Sequence, residues 1–180
     1  MHSGLYPSNE DIINEKEFEE AAIKLTHVLS ELMIRHGESD PLSRLLSDFT
    51  TNSKDLSYFP TPDGVTKLIS ALLGEEKLNS GNKHSMYEPT AGSGAIILQR
   101  MEDHFYANQH LDNPLEGVSI LTEDISDLMC NSLFLQLVHK LQYLSSLAGR
   151  QVFPDQVRIA SVDVLSRKKG RVYYEMSKYQ

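Results

Sequence analysis

The stretch that decides the fold runs Tyr87-Glu88-Pro89-Thr90-Ala91-Gly92-Ser93-Gly94-Ala95. Residues 84–87 before it predict a short strand, and the apolar run that begins at Ala95 predicts a helix. Glycine lets the backbone turn tightly and approach a ligand, and the helix that follows directs its amide N–H groups at whatever lies above the strand. The turn lacks the Gly-Lys-Ser/Thr ending of a phosphate loop. The carboxylate of Glu88 therefore indicates an ammonium or hydroxyl partner instead of a phosphate.

The same alternation of strand and helix continues downstream. Residues 118–121 predict a second strand that ends in Glu123-Asp124, residues 125–144 a long helix, and residues 157–160 a third strand that ends near Asp163. This βαβαβ order predicts a parallel sheet, in which ligands bind beyond the carboxyl ends of the strands. A carboxylate after the second strand suits ribose hydroxyls, and one of the two acids also suits a helix cap. We expect one acid for each role, and for Asp163 both an adenine contact and a turn acid stay open.

Three helices are predicted before the glycine turn. Residues 15–35 carry apolar side chains at three- and four-residue steps, and Asp40-Pro41 opens a second helix with Leu42, Leu45, Leu46 and Phe49 facing inward. Thr61 is the expected N-cap and Pro62 the first residue of a third helix, which stops at Gly74. We therefore divide the chain into an N-terminal helical segment, residues 1–56, and an α/β domain, residues 57–180.

Composition narrows the function classes. The chain has 180 residues, 40% of them apolar and 23% charged, which indicates one ordinary globular domain. A net charge of −8 argues against strong unaided DNA binding, and the basic residues Arg167, Lys168, Lys169 and Arg171 favour a solvated loop over a phosphate clamp. A single cysteine, Cys130, within an apolar helical pattern predicts a buried thiol and a cytoplasmic location. The seven histidines lack metal-ligand spacing, so we expect no metal.

The glycine segment is similar to the cofactor motif of N6-adenine DNA methyltransferases, the family that includes the modification subunits of type I restriction systems. Upstream, Tyr58-Phe59-Pro60-Thr61-Pro62 resembles the Phe-Thr-Pro segment that precedes this motif in the family. Downstream, Asp124-Ile125-Ser126 resembles its ribose-binding stretch, and Ser161-Val162-Asp163-Val164-Leu165 resembles the strand end near the adenine. The resemblance covers about residues 55 to 166.

The resemblance implies a Rossmann-like methyltransferase fold, a seven-stranded and mostly parallel sheet flanked by helices, with S-adenosylmethionine as cofactor. It places Glu88 and the glycine backbone on the methionine part of that cofactor. Asp124 or Glu123 is implied for the ribose, Asp163 for the adenine amino group, and Phe59 with Thr61 along the cofactor. The cofactor-binding residues of the glycine segment are then Glu88, Pro89, Thr90, Gly92, Ser93 and Gly94.

The chain departs from the family at the catalytic motif, which is Asn or Asp, two prolines, then Tyr or Phe. No two prolines are adjacent in this sequence. Residues 172–174 predict a fourth strand, in which Tyr173 and Tyr174 either stack a base or serve as core aromatics. An incomplete sheet leaves an edge beside the first strand. We expect the C-terminal segment, a protein partner or a second copy of the chain to fill it.

Two functions follow from the resemblance. The first is an S-adenosylmethionine-binding enzyme that methylates adenine in DNA, alone or with a partner chain. The second is a catalytically inactive methyltransferase-like protein that binds or regulates within restriction-modification. A small-molecule methyltransferase or another nucleotide-binding module is a third hypothesis, which the Phe-Thr-Pro-like segment disfavours.

Overall fold

The computed structural model describes residues 16–35, 40–50, 59–74, 83–168 and 170–178. Residue 15, the expected boundary at 56/57, Tyr58 and Lys169 lie outside them. The helices are α1 (Lys16–Ser30, continued by a π-helical turn, Glu31–Arg35), α2 (Pro41–Thr50), α3 (Asp63–Leu73), α4 (Ala95–Ala107) and α5 (Asp127–Ala148). The strands are β1 (His84–Glu88), β2 (Val118–Asp124), β3 (Gln156–Ser161) and β4 (Arg171–Ser177).

The strands form one sheet in the order β1-β2-β3-β4. β1 pairs in parallel with β2 and β2 in parallel with β3, so the predicted βαβαβ order is confirmed. The register places Glu88 opposite Thr122 and Asp124 opposite Ser161. The carboxyl ends of the three parallel strands therefore meet at one rim, as the sequence predicts.

The helices that contact the sheet cover one of its faces. Met86, Ile120 and Ile159 face them and pack with apolar side chains of α4 and α5 in one core. The opposite face carries Ser85, Tyr87, Arg158 and Glu175, which are all exposed. The apolar/polar alternation along β2 and β3 indicates such a half-solvated sheet, whereas strands buried on both faces read as continuous apolar runs. The expectation of a sheet flanked by helices thus holds for one face.

β4 overturns the expectation that the C-terminal segment fills the edge beside β1. It pairs antiparallel with β3, at the opposite edge of the sheet. The connection over residues 162–170 is short, which suits a return along the neighbouring strand, whereas a parallel crossover needs a dozen or more residues. Among the described strands, β1 therefore pairs with β2 alone.

The N-terminal helices pack on the outer side of α5. Leu29, Leu42 and Leu46 form a small second core with Met129 of α5. Most of the predicted apolar stripe of α1 is exposed, including Phe18 and Val28, and among the described elements outside its own continuation α1 makes only a small contact with α5.

Helix α3 begins one residue later than expected. Pro62, not Thr61, is its N-cap, and no side chain caps the helix. Its buried residues are Thr66 and Ser70, while Leu68 and Leu72 of its apolar stripe are exposed. Polar groups of α4 account for this orientation, since Arg100 donates hydrogen bonds to the backbone oxygens of Ser70 and Gly74.

The turn between β1 and α4 depends on Gly94, which is the left-handed N-cap of α4 with φ of 102°. A Cβ atom there would overlap the side chain of Leu133 on α5. This glycine therefore both shapes the turn and allows α5 to lie against it.

We predict that Gly94→Ala lowers the free energy of unfolding by about 2 kcal/mol or more, because it adds backbone strain and overpacks the α5 contact. Gly64 is the matched control, since it lies in α3 with open space around it. Gly64→Ala should raise stability by about 0.5 kcal/mol through helix propensity. Urea unfolding measures both changes, and equal effects at the two sites would contradict the packing argument.

Candidate functional site

The glycine turn is tied directly to the end of the neighbouring strand. The N–H of Gly92 donates to Asp124 Oδ2 at 2.8 Å, and the N–H of Ala91 donates to the Glu123 carbonyl oxygen at 3.0 Å. Gly92 adopts φ of 55°, a left-handed conformation that glycine accepts without strain. The structure thus brings together the glycine turn and the second-strand acid that the sequence predicted at one rim.

Asp124 and Glu123 point to opposite sides of the sheet, because successive side chains of a strand alternate. Asp124 Oδ1 accepts from the N–H of Ser126 at 2.8 Å, so its carboxylate links the glycine turn to the start of α5. Ser126, not either acid, is the N-cap of α5, which corrects the expected division of roles. The lone pairs that remain on the Asp124 oxygens are available to hydroxyl donors at the rim.

Glu123 belongs to a network on the solvated face. Its Oε2 accepts from Tyr87 Oη at 2.6 Å and from Arg167 Nη1 at 2.7 Å. The hydrogen bond from Tyr87 makes the largest contribution to lowering the pKa of Glu123, and Arg167 lowers it further. Of the two acids, Asp124 is therefore the one beside the glycine turn.

Glu88, at the end of β1, is an acid in a mostly buried position. Its Oε2 accepts from the N–H of Ile97 in the first turn of α4 at 3.1 Å. Burial is the main cause that raises the pKa of Glu88 to about 8; the Ile97 N–H lowers it, and the neighbouring carboxylates of Asp124 and Asp40 add smaller upward contributions. A buried acid that faces other acids is costly, so this position is suited to a cationic ligand.

Asp40 is a site residue that the sequence analysis missed. Both of its carboxylate oxygens accept from Ser93 Oγ, at 2.9 and 2.8 Å, and Oδ1 also accepts from Gln136 Nε2 at 2.6 Å. Gln136 Nε2 in addition donates to the carbonyl oxygen of Ser93. The Ser93 hydroxyl therefore holds the turn to the N-terminal helices instead of facing the rim. Burial raises the pKa of Asp40.

Asp163 has the geometry of a turn acid. It accepts from the backbone N–H groups of Leu165 and Ser166 and from Ser166 Oγ, and these bonds lower its pKa. Its carboxylate is thereby engaged within its own exposed loop. The implied contact with an adenine amino group stays a prediction.

The remaining cofactor candidates are Pro89 and Thr90, which follow β1, and Phe59 and Thr61, which precede α3. Pro89 and Thr90 are exposed and line a cavity of about 480 Å³ together with Glu88. The ring of Phe59 is 85% exposed, so the protein itself does not cover it, and Thr61 is half-buried.

Of the two tyrosines suggested for base stacking, one is buried and the other is half-buried. Tyr173 is buried, and burial with a hydrogen bond to Asp127 raises its pKa to about 12. Tyr174 packs on Phe134 with ring centroids 4.7 Å apart. Tyr173 is therefore a core aromatic, and Tyr174 packs against the core while it stays partly exposed. Cys130 is buried as predicted, and burial raises its pKa to about 12.

The described residues contain no group of three side chains suited to holding a metal ion. Within the same part of the chain, no helix is long and apolar enough to cross a membrane. Comparison with protein-family models, with curated proteins and with solved structures gave no match. The chemistry of the rim residues is therefore the basis for a functional assignment.

We predict that Glu88→Gln is more stable than the wild type at neutral and higher pH, and that this difference in the free energy of unfolding grows as the pH rises. The folded pKa of about 8 lies above the unfolded value of 4.5, so the unfolded chain loses this proton first, and native stability falls between these pH values. Glutamine stays neutral and keeps an acceptor for the Ile97 N–H. The free energy of unfolding of the variant should match that of the wild type below pH 4.5 and exceed it at pH 8 by on the order of 4 kcal/mol.

Glu123→Gln is the matched control, because its lowered pKa predicts the opposite sign. Its ionised form is stabilised in the fold, so the substitution should lower stability at neutral pH and have less effect in acid. Chemical unfolding across a pH series measures both variants. A pH-independent difference for Glu88→Gln would contradict the burial argument.

Proposed function

We propose that this chain binds S-adenosylmethionine at the rim formed by Glu88, the glycine turn and Asp124, as the cofactor-binding part of an adenine methyltransferase. The observation that carries the proposal is the position of Glu88. It is a largely buried acid beside two further carboxylates, and its Oε2 is bonded to the first turn of α4. Such a site favours a ligand that brings positive charge.

The residues present fit this cofactor part by part. Glu88 would accept a hydrogen bond from the α-amino group, and the Gly92 backbone allows close approach of the methionine part. Asp124 would accept hydrogen bonds from the ribose hydroxyls while it keeps its hydrogen bond from the Gly92 N–H. When bound, S-adenosylmethionine supplies an electrophilic methyl group on a positively charged sulfur. The protein's part at this rim is to bind and orient it.

A simple nucleotide fits this rim less well. Phosphate groups would meet the carboxylates of Glu88, Asp124 and Asp40, and like charges repel. The turn also lacks the lysine of a phosphate loop. The acid cluster therefore favours a sulfonium and ammonium ligand over ATP or a dinucleotide.

We expect S-adenosylmethionine to bind in a calorimetric titration, and Gly92→Val and Glu88→Ala to weaken it at least about tenfold. Glu123→Gln should retain the wild-type affinity, because Glu123 faces the other side of the sheet.

Ionised Glu88 pairs better with an ammonium group, so the affinity for S-adenosylmethionine should rise with pH by up to about tenfold per pH unit below pH 8. This slope should flatten in Glu88→Gln. Absence of binding, or equal binding of ATP, would contradict the proposal.

Methyl transfer is a separate question from binding. We expect the chain alone to transfer no label from radioactive S-adenosylmethionine to mixed-sequence DNA. The sequence lacks adjacent prolines, Tyr173 is buried, and the ring of Tyr174 is packed on Phe134. Incorporation well above a no-enzyme control would contradict this expectation. Incorporation only on addition of a second polypeptide would support a split enzyme.

A binding or regulatory protein without methyl transfer is the second candidate. The burial of Tyr173 and the packing of Tyr174 on Phe134 favour it. It predicts cofactor binding without transfer under any combination of partners, which the same two measurements distinguish.

A further inference from the structure

The outer edge of β1 presents backbone groups that point away from the sheet. The N–H of His84 donates to the Gly117 carbonyl oxygen on the β2 side. Because backbone groups alternate along a strand, Met86 and Glu88 also face β2, and the N–H and C=O groups of Ser85 and Tyr87 face outward. Among the described strands, no other strand pairs with this edge.

The edge lacks three of the features that usually block strand addition. Residues 84–88 contain no proline, no lysine and no bulge. A cavity of about 480 Å³ runs along the strand and is lined in part by Leu73, Met86, Ile96 and Ile97. Leu73 is 63% exposed, so apolar surface flanks the edge. An extended segment that added to β1 would therefore find both hydrogen-bond partners and an apolar wall.

The sequence of β1 is complementary to itself when two copies run antiparallel. Centred on Met86, the register places Ser85 of one copy opposite Tyr87 of the other, and these are the residues whose backbone groups face outward. Four hydrogen bonds then form between the copies. His84 lies opposite Glu88, on the face that α4 covers, so an imidazole meets a carboxyl group. A two-fold axis satisfies all these contacts at once, as expected of a symmetric dimer.

We propose that β1 pairs antiparallel with β1 of a second copy about a two-fold axis through Met86, which joins the two sheets into one continuous sheet. Glu88 belongs both to this register and to the proposed cofactor site, but the hydrogen bonds of the dimer come from the backbone of Ser85 and Tyr87, so dimerisation and cofactor binding are tested by separate measurements. It uses the edge that β4 leaves open and gives partners to the outward groups of Ser85 and Tyr87.

Sedimentation equilibrium of the full chain tests the dimer. We expect a concentration-dependent shift from the monomer mass to twice that mass. Ser85→Pro removes an outward N–H without removing a β1–β2 bond, and should weaken dimerisation at least about tenfold. Ser85→Ala is the matched control, because it keeps the N–H, and should dimerise as the wild type does. A monomeric wild type, or equal dimerisation of the two variants, would overturn the proposal.

Disulfide trapping tests the register. In Met86→Cys the two cysteines are directly opposite, within reach of a disulfide, and mild oxidation should give a covalent dimer. In Ser85→Cys the two Cα atoms would be about 8 Å apart, which is beyond that reach. The native Cys130 is buried and serves as background in both variants. Equal crosslinking of the two variants, with native circular dichroism, would contradict the register centred on Met86.

Discussion

The carboxylate of Asp124 holds the rim of this protein together. One of its oxygens accepts from the Gly92 N–H and the other from the Ser126 N–H. The end of β2, the turn after β1 and the start of α5 are thereby fixed to one side chain. An ionised acceptor that bonds two backbone donors is stronger than a neutral pair. Glu88 is placed beside this link by the pairing of β1 with β2 and by its hydrogen bond from the Ile97 N–H.

Unlike Asp124, the two acids Glu88 and Asp40 act against stability. Glu88 and Asp40 are largely buried, and burial raises the pKa of both. A sequence under selection for stability alone would place neutral side chains there. Asp40 recovers part of this cost through its bonds to Ser93 and Gln136. Glu88 has a single backbone donor, at Ile97, so its cost is consistent with a role in binding a cation.

The one-sided sheet and its open edge have a common origin. Both crossover helices lie on the same face, because the chain steps through β1, β2 and β3 in a single direction across the sheet. The short return after β3 then places β4 at the far edge. The solvated face is polar and needs no partner, whereas the edge of β1 has outward backbone groups beside apolar side chains. We therefore expect association with another chain at the edge of β1.

The sequence by itself determined the order of helices and strands, the parallel pairing of β1 to β3 and the glycine turn, because these follow from local periodicity and from glycine's freedom at positive φ. Only the tertiary structure decided which of Glu123 and Asp124 lies beside that turn. Neighbouring side chains of a strand point to opposite faces of the sheet, but this alternation does not determine which face the helices cover. It also decided the role of Asp40, which is 53 residues from Ser93 in the chain. A contact across that separation depends on how α2 packs on α5, and no local pattern encodes it.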